Sequence, residues 1–235
     1  MNDAALAAPL DLVIFDCDGT LVDSLNSIAT VMNRVWADLA LGDPLTSAQV
    51  AGVVGLSLDA AMRTLWPGGH ADLWHRMVAA YREHYSALVA AGAEEAPLFP
   101  EVRATLERLQ SQGVILAVAT GKSMRGLERT LAAHGLRHLF SALKTADCQP
   151  SKPHPGMVLA ILEETAIPRH HALIVGDTTF DIDMGHNAGI RTCAVTYGCH
   201  SLAQLAAARP HHTIDALPAV LTLPGLAERG IVHRP

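Results

Sequence analysis

The sequence predicts an α/β protein built on a doubly wound parallel sheet, with an α-helical insertion after the first strand. Short apolar runs carry the sheet: Leu12-Val13-Ile14-Phe15, Val114-Ile115-Leu116-Ala117-Val118-Ala119 and Ala172-Leu173-Ile174-Val175 read as strands buried on both faces. Helical periodicity separates the later runs, as parallel strands joined by right-handed crossovers require. Nothing between residues 24 and 92 reads as a strand, so this block stands as an insertion. The expected division is a catalytic core of residues 1–22 and 95–235 and an α-helical domain of residues 23–94.

The first strand breaks at Asp16-Cys17-Asp18-Gly19, and Leu25, Ile28, Ala29, Met32, Val35, Trp36 and Leu39 then recur at helical spacing over 24–41. Ser24 is the expected N-cap, with Asp23 suited to the positive end of the helix. Thr46 caps a short second helix, residues 52–57 turn, and 58–65 form a third. After Pro67-Gly68-Gly69, one face carries Leu73, Trp74, Met77, Val78, Tyr81, Tyr85, Leu88 and Val89, a longer helix. In the core, Val102, Leu106 and Leu109 mark a helix closed by Gly113, and the second strand ends at Thr120-Gly121-Lys122. A helix over 123–134 stops at Gly135, a weaker strand spans Phe140 to Lys144, and the loop from Asp147 to Pro155 carries Lys152. A helix over 156–166 leads to the strand that stops at Gly176-Asp177-Thr178-Thr179-Phe180-Asp181. One more helix and the run from Ile190 to Thr196 complete a further unit, and Thr213-Ile214 shows an alternation in the tail.

Composition narrows the function. Half of the 235 residues are apolar and 17% are charged, which excludes a disordered chain, and the net charge of −6 with no basic stripe argues against nucleic acid. No positive segment precedes the apolar start, Pro9 interrupts it, and no window approaches a membrane span; a cytoplasmic location is expected. Cys17, Cys148, Cys193 and Cys199 form no metal-knuckle spacing and read as free thiols. The pairs His170-His171 and His211-His212 point in different directions within each pair and are poor chelators.

Polar residues gather at the strand ends: Asp16 and Asp18, Thr120, Lys152, and Asp177 with Asp181. Each alone has an ordinary explanation as a turn, cap or loop residue. Together, in order, they resemble the four motifs of the haloacid dehalogenase (HAD) superfamily: DxDGTLxDS, a Thr after the second strand, a Lys before a helix, and GDxxxD. The resemblance implies a Rossmann-like core with an α-helical cap, and it is nearest to phosphoglycolate phosphatase-like members. It also implies Mg²⁺, with Asp16, Asp177, the Asp18 carbonyl and, at longer range, Asp181 as the metal set.

The physics of phosphoryl transfer fits the same residues. Asp16 suits the nucleophile, Asp18 a general acid and base, and Lys152 a cation that holds phosphate and screens the acids. Thr120 and the amide of Gly121, taken to lie at a helix start, would bind phosphoryl oxygens, and Gly55 and Ser57 of the turn are expected to reach the substrate. HAD dehalogenases and phosphonatases lack an acid where Asp18 stands, which favours phosphate esters. Gly121 departs from the Asn found there in many phosphoglycolate phosphatases. The function expected is a Mg²⁺-dependent phosphatase of a small phosphorylated metabolite, a monomer or dimer. A phosphomutase of the β-phosphoglucomutase type shares the same core residues, and a phospho-acceptor signalling domain is a different class, shorter and without the insertion.

Overall fold

The computed structural model describes residues 8–92 and 96–227. The expected domain boundary at 94/95 and the first seven residues of the start lie outside them. Six strands form one sheet: β1 (Leu12–Phe15), β2 (Ile115–Thr120), β3 (Ala142–Thr145), β4 (Ala172–Gly176), β5 (Arg191–Val195) and β6 (His212–Ile214). Their order is β3-β2-β1-β4-β5-β6 and every pair is parallel. The sheet is therefore wound in both directions from β1. Period-2 alternation sends Val13 and Phe15 into one apolar layer with Leu106, Leu109 and Val118, while Leu12 and Ile14 face Met157, Ile161 and Met184 in the other. Helices α5 (Val102–Ser111), α6 (Met124–Ala133), α7 (Gly156–Thr165), α8 (Thr179–Ala188) and α9 (Leu202–Ala207) belong to this part of the chain.

Between β1 and α5 lie α1 (Leu25–Asp38), α2 (Ser47–Ala51), α3 (Leu58–Leu65) and α4 (Ala71–Ala90). These helices bury an apolar cluster of their own around Met32, Val35, Trp36, Val50, Met62 and Met77, with Trp36 and Trp66 edge to face at 6.2 Å. Thr46 caps α2 as expected, its Oγ1 accepting from the Gln49 amide while its own amide donates to Gln49 Oε1.

The differences from expectation have local causes. Ser24 does not cap α1: its backbone is already helical, and its hydroxyl is turned to Asp18. The third strand begins at Ala142 because Arg137–Leu139 wind into a 3₁₀ turn first. The alternation at Thr213-Ile214 is a sixth strand, held beside β5 by main-chain pairing. Among the described residues, no helix is long and apolar enough to cross a membrane.

Candidate active site

Register brings the polar strand ends to one edge of the sheet. Phe15 pairs with Val118 on one side and Val175 on the other, so Asp16, Thr120 and Asp177 emerge together where the chain switches direction across the sheet. Crevices of parallel sheets open at this place. After Asp16 the chain coils tightly, with the Cys17 carbonyl accepting from the amides of Leu21 and Val22 at 2.9 and 3.1 Å. Gly19, at φ +85°, permits the turn, and any Cβ there would overlap the Asp177 carboxylate.

Asp16, Asp177 and Asp181 are fully buried and offer carboxylate oxygens within 4.8 Å of one another. Lys152, also buried, bridges two of them, with Nζ 2.7 Å from Asp16 Oδ1 and 2.6 Å from Asp181 Oδ1. Thr20 donates to Asp177 Oδ1 at 2.8 Å, and the Cys199 amide donates to Asp177 Oδ2 at 2.8 Å. Asp181 Oδ2 accepts from the hydroxyl and amide of Thr178 at 2.6 and 3.1 Å. Asp16 Oδ2 meets no hydrogen-bond donor.

Burial raises the Asp16 carboxyl well above the ordinary range, against the pull of Lys152 and with the push of Asp181 and Asp177. Desolvation, then Asp181, raises Asp177 to about 6. Burial alone would lower Lys152, but Asp16 and Asp181 more than offset it, so the ammonium stays charged. Three acids answered by one buried lysine leave the cluster short of positive charge. An all-oxygen set with an unpartnered carboxylate oxygen fits a hard divalent cation.

Asp18 sits apart from this cluster. Its Oδ1 accepts from Ser24 Oγ at 2.7 Å and pairs with Lys122 Nζ at 2.9 Å. Thr120 Oγ1 accepts from the Lys122 amide at 3.3 Å. The Gly121 amide is not at a helix start, as the sequence reading had it: α6 begins at Met124, capped by Ser123. Gly121 is also a packing residue. A Cβ there would run into the Leu56 carbonyl oxygen and stand 2.6 Å from that of Gly55. The turn 52–57 thus lies against the core crevice, with the Ser57 amide donating to Ser151 Oγ at 2.8 Å and a Cβ at Gly55 falling 3.2 Å from Thr178 Oγ1.

A model of the haloacid dehalogenase-like hydrolases matches residues 13–195, which contain every one of these groups except Cys199. The chain belongs to that family. It is 34% identical over 214 residues to "Probable phosphatase IndB" of Dickeya dadantii, a match covering 89% of this chain and 91% of the relative. A phosphoglycolate phosphatase of Mannheimia succiniciproducens is 32% identical over 192 residues, 80% of this chain and 86% of its own. The crystal structure of a predicted phosphoglycolate phosphatase from Haemophilus somnus superposes with a TM-score of 0.81 at 27% identity, covering 91% of this chain and 97% of the other. The chain is therefore a hydrolase whose relatives are phosphatases.

Sequence reasoning missed Lys122, Thr20, Ser24 as an Asp18 partner and the Cys199 amide. Lys122 and Ser24 were visible in the motif strings, but nothing in a string says where a side chain points.

Proposed function

We propose that the protein is a Mg²⁺-dependent phosphatase of small phosphomonoesters, with 2-phosphoglycolate the first substrate to try. The observation that carries the reading is Asp16: a buried carboxylate at the crevice, one oxygen paired with Lys152 and the other without a donor. Asp16 and Asp177, with the Asp18 carbonyl, would hold Mg²⁺, whose charge when bound offsets the crowded acids and the substrate dianion. Asp181 acts at one remove, by fixing Lys152.

Asp16 attacks phosphorus through a carboxylate oxygen as the bond from phosphorus to the ester oxygen breaks. Asp18, entering protonated, gives that proton to the departing oxygen, so the products are an alcohol and an aspartyl phosphate. Asp18, now a carboxylate, takes a proton from water as the water oxygen attacks phosphorus; phosphate leaves and Asp16 is regenerated. In this reading Thr120 and the Gly121 amide, which precedes α6 without belonging to it, would hold phosphoryl oxygens. Residues 23–94 act as a lid, with Gly55 and Ser57 over the crevice, so small cytoplasmic metabolites fit and a phosphopeptide does not.

The test is phosphate release from phosphoglycolate, other small esters and a phosphopeptide, with Mg²⁺ and with EDTA. Small esters should be cleaved only with metal. Undiminished activity in EDTA overturns the metal, and transfer between sugar hydroxyls without phosphate release would make the enzyme a mutase.

A further inference from the structure

Lys122 is nearly buried, its side chain 13% exposed, in a site where every other buried lysine contact belongs to the Asp16 cluster. Its ammonium lies 2.9 Å from Asp18 Oδ1, the same oxygen that accepts the Ser24 hydroxyl at 2.7 Å. The two anchors come from different elements. Ser24 stands at the root of α1, and Lys122 follows the end of β2, its amide tied to Thr120 Oγ1. Tyr81 and Tyr85 of α4 are stacked at 6.1 Å. Arg129 of α6 holds that pair from the core side, donating to the Tyr85 hydroxyl at 2.8 Å.

A carboxyl group whose Oδ1 faces an ammonium and a hydroxyl proton has no room for its own proton on that oxygen. Proton exchange therefore falls to Oδ2, and the two anchors decide where Oδ2 points. We propose that Lys122 is a positioning residue for Asp18: with Ser24 it fixes the Asp18 carboxyl by Oδ1, so that Oδ2 is the oxygen that gives the proton to the leaving group and takes it back from water. This rests on the proposed phosphatase reaction. It adds a lysine that serves Asp18 and not the phosphate, which is the task of Lys152.

The experiment is a double-mutant cycle on Mg²⁺-loaded enzyme with an alkyl phosphate and with p-nitrophenyl phosphate. Lys122→Met should lower kcat for the alkyl ester about 10²-fold, the lower end of what proton transfer supplies, with KM changed less than threefold. In an Asp18→Asn background the same change should cost less than twofold, because the group it positions no longer exchanges a proton. A rapid-quench burst of p-nitrophenol should survive in Lys122→Met, since that leaving group needs little protonation, while steady-state turnover falls. Ser24→Ala, which removes the smaller anchor, should show the same pattern with a loss of about tenfold and serves if Lys122→Met does not fold. Losses that multiply across the cycle, or a rise in KM confined to anionic esters, would overturn the proposal in favour of direct substrate contact. If the wild-type enzyme cleaves no ester at all, the phosphatase reading fails before this one is reached.

Discussion

The core crevice and the helical insertion meet face to face, yet they are made of different material. Among the described residues, every buried charged side chain belongs to the core: Asp16, Asp18, Lys152, Asp177, Asp181 and Arg191. Residues 25–92 bury none. They bury Val35, Val50, Met62 and Met77 and offer the crevice main chain at Gly55 and Leu56. Burying an ion costs several kcal/mol unless it is paired, so charges persist in the sheet edge only where partners and chemistry retain them. The insertion carries no such cost. On the function proposed above, reaction belongs to one region and admission to the other.

The sharpest way to break this division is Asp16→Asn, which keeps shape and removes the nucleophile. Turnover should fall by roughly 10⁴-fold or more with little change in thermal stability, because relief of the buried charge and of its repulsion by Asp181 and Asp177 offsets the lost pairing with Lys152, which keeps Asp181. Activity within tenfold of wild type would move the chemistry elsewhere. Next comes the contact between the two regions. Gly121→Asn places a side chain where the Leu56 and Gly55 carbonyls stand, so the turn 52–57 must lift away. A displacement of about 1 Å there should lower kcat/KM by about 10²-fold while the core stays folded, as measured by circular dichroism. An unchanged kcat/KM would show that the turn does not need its seat on Gly121.

The sheet, its edge and the four motif positions were legible in the sequence because each depends on local pattern: apolar runs make strands, and breaks in them mark strand ends. The roles of Ser24, Gly121 and Lys122 were not. Ser24 has the sequence of an N-cap, but its hydroxyl finds a buried carboxylate a few residues back, and that stronger acceptor wins. Gly121 reads as an amide at a helix start, but the helix begins at Met124, and the close seat of the turn 52–57 on Gly121 exists only once the insertion has folded. Lys122 is a motif letter whose direction shows only in the fold, where its amide is tied to Thr120 at the end of β2 and its ammonium meets Asp18. Contacts across the two regions are tertiary facts with no local signature.

Metal addition sharpens the electrostatic half of the comparison. Asp16 and Asp177 hold their protons more tightly folded than unfolded, so without metal the stability they contribute is complete below the ordinary carboxylate range. It is lost as pH rises through about 6 for Asp177. A cation favours the ionised forms. Mg²⁺ at a hundred times its Kd should then add about 2.7 kcal/mol of stability at pH 7.5, and distinctly less at pH 5. Differential scanning calorimetry with and without EDTA reads this, and an equal or larger increment at pH 5 would exclude binding at these carboxylates.

The smallest expected effect asks whether the two regions also come apart in stability. Thr46 sits on the exposed surface and closes a capping box with Gln49 at the start of α2, just before the turn that rests on Gly121. Thr46→Ala leaves the Gln49 amide at that helix start without its acceptor and should cost about 1 kcal/mol. Because the insertion has an apolar cluster of its own, that loss should be felt mainly by α1 to α4, whose amides would exchange with solvent about fivefold faster. Amides of β1, β2 and β4, buried in the sheet's two layers, should keep their protection. Hydrogen exchange followed by mass spectrometry separates the outcomes. Equal acceleration in both regions would mean that the insertion opens only when the whole molecule unfolds, and the turn 52–57 could not then leave the crevice by local unfolding of the insertion.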